Sequence, residues 1–214
     1  SLTNVNDPSF NPIGNIFFTQ SAFAALRSNG TIAVWGNHNS GGFSGESTSE
    51  DFSGAPSSLT DITDPSFVPV VNIFSSSGTF VALKEDGTIQ VWGRTISEGS
   101  YEDRQWIWPS TKLTDITHSS FAPVVNIIPF NNNSADAFLA LNSNGEVVPF
   151  GRSYVRNNIP DSVTGFGSEV VKIFFDYTIT NLYHNFNYGP VFGALKENGE
   201  IKIWGSNDAV RMSS

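Results

Sequence analysis

The sequence predicts an all-β protein built from four repeats of one small antiparallel sheet, and three observations predict it. One segment recurs four times: Phe23-Ala-Ala-Leu-Arg-Ser-Asn-Gly-Thr-Ile-Ala-Val-Trp-Gly36, Phe80-Val-Ala-Leu-Lys-Glu-Asp-Gly-Thr-Ile-Gln-Val-Trp-Gly93, Phe138-Leu-Ala-Leu-Asn-Ser-Asn-Gly-Glu-Val-Val-Pro-Phe-Gly151 and Phe192-Gly-Ala-Leu-Lys-Glu-Asn-Gly-Glu-Ile-Lys-Ile-Trp-Gly205. Each copy centres on Asn-Gly or Asp-Gly between β-branched and aromatic residues, the signal of a hairpin whose turn needs positive φ. No stretch shows apolar residues at helical spacing, and 18 Phe among 214 residues with only 14% charged residues make burial of large flat side chains the driving force for folding.

Taken in order, the turn glycines Gly30, Gly87, Gly145 and Gly199 are 57, 58 and 54 residues apart. A second block precedes the first: Leu2-Thr-Asn-Val-Asn-Asp-Pro-Ser-Phe10, Leu59-Thr-Asp-Ile-Thr-Asp-Pro-Ser-Phe67 and Leu113-Thr-Asp-Ile-Thr-His-Ser-Ser-Phe121. Each leads into Asn-Ile at 15, 72 and 126; the fourth copy, around Ser162-Val-Thr-Gly165, has decayed but reaches Lys172-Ile173. The chain thus reads as a single repeat domain, 1–214, with units near 1–58, 59–112, 113–161 and 162–214. The Leu-Thr-Asp-Ile-Thr run, the Asn-Ile run and the two arms of the hairpin give each unit three or four short strands. Ile32 and Val34 face one side of such a sheet and Trp35 the other, so a lone unit would expose an apolar face and must stack on its neighbours. Stacked four-stranded sheets make a β-propeller or an arc of one.

At these residues the chain resembles the RCC1 repeat family, whose blades carry Ala-Leu, a turn Asp-Gly and a terminal Trp-Gly in units of this size. The resemblance spans essentially the whole chain, with Phe150 replacing Trp in the third unit. It implies an RCC1-like β-propeller of about four blade-like units. The family's usual propeller has seven blades, so the chain is expected to be a small closed ring, an open arc, or part of an oligomer that completes the ring. An open arc would expose flat blade faces at both ends, which predicts self-association. The family's functions range over nucleotide exchange on a small GTPase with chromatin binding, ubiquitin-ligase scaffolds, an ultraviolet photoreceptor and β-lactamase inhibitors, so the resemblance assigns none.

The bulk numbers exclude several classes. A formal charge of -9 with no basic patch argues against nucleic acid. Nothing approaches the apolar run a membrane helix needs, so no membrane insertion is expected; the start at Ser1 without a charged and apolar leader reads as a soluble mature chain or a segment of a longer one. Zero Cys excludes disulfides and thiolate metal sites. An acidic pI with abundant Asn, Ser and Gly fits an extracellular or surface-exposed microbial protein, with the cytoplasm left open.

Residues at one slot in every unit serve the unit, whereas segments peculiar to one unit need another explanation. Three such segments stand out. In Tyr101-Glu-Asp-Arg-Gln-Trp-Ile-Trp-Pro109, Trp106 and Trp108 alternate around Ile107, so they would share one side of an extended segment with Tyr101 and Arg104 nearby; they suit either a ligand contact or an apolar plug over a seam. Asp176-Tyr-Thr-Ile-Thr-Asn-Leu-Tyr-His-Asn-Phe-Asn-Tyr-Gly189 brings Tyr183, His184, Asn185 and Tyr188, residue types favoured in binding loops, or else an ordered loop over a blade edge. Asn131-Asn-Asn-Ser-Ala-Asp136, with Asn132 and Asp136, is a smaller insertion at the same slot of the third unit, read as a surface turn. Strand alternation places all three on one rim, opposite the Asx-Gly turns.

No catalytic constellation is visible. His38, His118 and His184 fall in different units without ligand spacing, and His118 fills the slot of Asp7 and Asp64, so neither metal nor cofactor is expected. Asp61 and Asp115 recur at matching slots, as turn formers rather than an acid and base pair. Ser40 to Gly54 reads as a flexible acidic connector. The expectation is a non-enzymatic module that recognises a protein or glycan; the alternatives are a structural segment of a larger surface protein or self-assembling oligomer, and an enzyme with carboxylates in a central funnel.

Overall fold

The computed structural model describes residues 10–45, 52–94, 106–132, 135–152, 170–176 and 191–205. Four antiparallel sheets follow one another along the chain. The first is β1 (Ile13–Phe18), β2 (Ala22–Arg27) and β3 (Ile32–Gly36) in that order. The second adds a short edge strand, β4 (Phe52–Ser53), to β5 (Val70–Ser75), β6 (Thr79–Lys84) and β7 (Ile89–Arg94), in the order β4-β7-β6-β5. The third repeats this with β8 (Trp106–Ile107), β9 (Val124–Asn132), β10 (Ala135–Asn142) and β11 (Val147–Arg152). The fourth has β12 (Val170–Asp176), β13 (Val191–Lys196) and β14 (Ile201–Gly205).

Each hairpin closes in the same way. Gly30 N–H donates to the Arg27 carbonyl and Arg27 N–H to the Thr31 carbonyl, and Gly30 takes φ +79°, so a tight turn is followed by one glycine in the left-handed region. The Asn29 side-chain oxygen accepts from both the N–H and the hydroxyl of Thr31; Asp86 does the same for Thr88. The Asx residue therefore locks these two turns, whereas in the third hairpin the Asn142 side-chain oxygen accepts the N–H groups of Asn144 and Glu146; in each the glycine supplies the conformation that other residues avoid.

The Leu-Thr-Asp-Ile run is not a strand, as the sequence had suggested. It forms one helical turn, α1 (Ser57–Thr60) and α2 (Thr111–Thr114), which buries Leu59 and Leu113 completely. Asp61 then accepts the N–H and hydroxyl of Thr63, and Asp115 those of Thr117, and these side-chain turns compete with further helix or strand. The fourth strand comes instead from just upstream, where Phe52 pairs with Arg94 and Trp106 with Arg152. Phe52–Ser53, which the repeat boundaries had put in the first unit, thus belongs to the second sheet. The described ends of the Ser40 to Gly54 connector are more structured than its composition suggested: Ser40 and Gly41 are buried, Gly41 lies against Phe80, Gly93 and Trp92, and Ser44 bridges to Ala55; residues 46–51 lie outside the described residues.

Successive sheets stack face to face, with their first strands β1, β5, β9 and β12 side by side. Every seam uses the same slots. Phe80 and Trp92, stacked at 5.0 Å, cover Ala22, Ala24 and Ile32 of the first sheet; Phe138 and Phe150, at 5.2 Å, cover Val81, Ile89 and Val91 of the second. Phe192 and Ala194 cover Leu139 and Val147 of the third. The outward faces of the first and fourth sheets stay exposed, so the four sheets form an open series, the partial propeller among the expected forms.

Candidate functional site

The sheets present two rims. On one, the Asx-Gly turns abut the next unit: Val70 N–H donates to the Gly30 carbonyl and Val124 N–H to the Gly87 carbonyl, at 2.9 and 2.8 Å. On the other, the links between the first and second strands of neighbouring units touch: Gln20 N–H donates to the Ser77 carbonyl, and Gly78 N–H to Asp136 Oδ1, both at 2.9 Å. The turn rim repeats one contact in the first two seams, whereas the link rim joins the first two units by a backbone contact and the second and third by a side-chain contact.

In the third sheet two of the singled-out segments share that rim. Ile107 pairs with Gly151, Gly151 with Ala137 and Ala137 with Phe130, so β8 and the β9–β10 hairpin end side by side. Asn132 pairs with Ala135 at the tip of that hairpin. The insertion at Asn131 to Asp136 is therefore a lengthened hairpin. Asp136, expected at a surface turn, is instead completely buried, and its carboxylate is spent on the seam. It is corrected from ligand contact to structural residue, because a carboxylate with no solvent exposure cannot reach a partner.

The two tryptophans separate as well. Trp106 stands at the slot of Phe52, each pairing with the arginine that ends the adjacent strand, so it continues a repeated edge-strand position rather than breaking from it. Trp108 stands at the slot of Gly54. In the second unit that glycine is buried so tightly that an added Cβ would lie 2.6 Å from the Phe43 ring; in the third unit the indole is 55% exposed. Among the described residues Trp108 is the largest exposed side chain peculiar to one unit. Tyr101 and Arg104 lie outside the described residues, as do Tyr183, His184, Asn185 and Tyr188. The last four fall between Asp176 and Val191, which pair with each other at the end of the fourth sheet remote from its Asx-Gly turn.

Val71, Val125 and Val171 form a row at one slot of the first strands, each about half-exposed, and the repeated Val-Val pair before Asn72, Asn126 and Lys172 is its signal in the sequence.

The carboxylates behave as turn formers. Asp61 sits below the usual carboxylate range because Thr63 donates its N–H and hydroxyl to it; Thr117 does the same for Asp115. Asp64 is lowered by the Ser57 hydroxyl and then by the Ser66 N–H. His118, at the slot of Asp64, takes the Ser120 N–H on Nδ1 at 3.1 Å. Among the described residues no group of three His, Asp or Glu side chains is placed to hold a metal ion, and no helix among them is long and apolar enough to cross a membrane.

No family model and no curated protein matches the sequence. Solved structures do. Human WBSCR16 matches at 14% identity and TM-score 0.51, over 94% of this chain and 49% of that one. Prp20p of Saccharomyces cerevisiae matches at 16% identity and TM-score 0.50, over 90% of this chain and 44% of that one; yeast RCC1 (Prp20) bound to Kap60 gives 16% and 0.52, over 90% and 43%. The fold is that of RCC1-like propellers, and the chain spans a little under half the length of these structures.

Proposed function

We propose that the chain is a non-enzymatic interaction module that binds a protein partner through its link rim and the edge beside it, with Trp108 as an anchor. The observation that carries this is the exposure of Trp108 at a slot where the second unit has buried Gly54. A large apolar ring left in solvent by a fold that buries the equivalent position is costly unless a partner covers it, and indoles are common anchors of protein interfaces. The structures of similar fold include Prp20p, described by its binding to Gsp1p and histones, and its complex with Kap60. A charge of -9 favours a basic protein surface and disfavours a phosphate backbone.

Biolayer interferometry of the whole chain tests this, with core histones as the basic protein probe, a glycan array as the other arm, and Ile62→Ala as a control at an exposed repeated slot. The expected result is salt-sensitive histone binding weakened at least tenfold by Trp108→Ala and unchanged by Ile62→Ala. Equal loss in both variants, or a response confined to glycans, counts against it.

A further inference from the structure

We infer that the outward faces of the first and fourth sheets are the two halves of one interface, and that each is covered by a second copy of this chain docked head to tail. This surface is separate from the link rim and does not depend on what that rim binds.

The internal seams show what each face fits. The later sheet of a seam always contributes Phe and Ala, with a second aromatic ring in the first two seams; the earlier sheet contributes aliphatic residues. The first sheet retains an unused ring pair, Phe23 and Trp35, stacked at 5.4 Å in the slots of Phe80 and Trp92. Phe23 is 43% exposed, whereas Phe80 is fully buried. The fourth sheet retains the unused aliphatic half: Ile201 and Ile203 occupy the slots of Ile89 and Val91 and are 63% and 45% exposed.

The turns repeat the pattern. Gly30 and Gly87 are closed over by Pro69 and Pro123 of the following unit, where an added Cβ would lie 2.5 and 2.4 Å from the proline Cβ. Beside Gly199 the space is open. Pro12-Ile13 holds the slot of Pro69-Val70, so docking places Pro12 on Gly199 and aims the Ile13 N–H at its carbonyl, as Val70 does to Gly30. Apolar rings thus meet aliphatic residues at a seam geometry the chain already forms. Because the faces differ, the contact is heterologous: it closes into a ring or propagates.

Light scattering after size exclusion over a wide concentration range tests this with the wild-type chain, Phe23→Glu and Ile201→Glu. The wild type should rise above its monomer mass of 23.2 kDa with concentration. Each variant alone should stay at monomer mass, since one face is blocked. Mixed in equal amounts, they should form a two-chain species, because the intact end of each fits the intact end of the other. Matching thermal melts confirm that the variants fold; if Phe23→Glu melts early, Trp35→Glu blocks the same face. A wild type that stays monomeric, which would leave the faces to a further blade or another protein, overturns the proposal. So does a mixture that fails to associate, or association surviving in either variant alone.

Discussion

Asp136 and Gly78 occupy the same slot of adjacent units, 58 residues apart, and meet across the seam between them: the fully buried Asp136 carboxylate accepts the Gly78 N–H at 2.9 Å. At the same rim of the preceding seam, one slot earlier, the contact is a backbone bond from the Gln20 N–H to the Ser77 carbonyl. The second and third units are thus joined by a side-chain contact where the first and second are joined by a main-chain one.

This relationship makes Asp136 a stability residue. Asp136→Ala leaves the Gly78 N–H buried without its acceptor, a loss of about 1–3 kcal/mol. Asp136→Asn keeps a side-chain oxygen for the same N–H and should recover most of it. Urea unfolding of the two variants measures the difference; equal losses would mean that the negative charge, not the Gly78 bond, holds the seam.

The three side-chain turns predict an acid limb in stability. Asp61, Asp64 and Asp115 have folded-state pKa values lowered by donors from Thr63, Ser57 and Thr117. A lowered carboxylate releases its proton more readily in the folded chain, so the unfolded chain binds more protons in acid. Their contribution is fully present above the unfolded pKa and is lost as pH falls below about 4. Asn at all three positions keeps an acceptor oxygen but does not titrate, so denaturant midpoints between pH 2.5 and 7 should flatten at the acid end in the triple variant. An unchanged acid limb would assign it to other carboxylates.

The repeat, the hairpins and the stacking of sheets were legible because each rests on local chemistry that the sequence states four times: an Asx side chain, a glycine with positive φ, an aromatic ring at a fixed offset. The fourth strand was not, because Phe52–Ser53 and Trp106–Ile107 are too short to show alternation and are defined only by their partners Arg94 and Arg152. Part of the candidate site was legible: Trp106 and the Asn132 hairpin lie at the expected rim, while the third segment falls outside the described residues, and only the sheet register shows that Trp106 shares a slot with Phe52 while Trp108 replaces Gly54. The burial of Asp136 depends on the neighbouring unit, which a pattern read within one unit does not contain.

Trp92 provides the last test, because the protein carries its own control. Its ring is fully buried on the first sheet, and among the described residues its Nε1–H has no hydrogen-bond partner. A buried donor left unmade costs roughly 1–3 kcal/mol, so part of what the indole gains by burial is offset. The third unit fills the same slot with Phe150, stacked on Phe138 at 5.2 Å against 5.0 Å for Phe80 and Trp92. Trp92→Phe therefore removes the unmade donor while keeping an aromatic stack, at the expense of some ring volume, and the two effects oppose each other. The net change should stay within about 1 kcal/mol. Trp92→Ala loses the ring outright and should cost about 3–5 kcal/mol, whereas Trp35→Ala, on the exposed end face, should cost far less in the monomer. Thermal melts at low protein concentration rank the three. If Trp92→Phe were as damaging as Trp92→Ala, the seam would depend on indole shape rather than on any aromatic ring, and the equivalence of the Trp92 and Phe150 slots would fail.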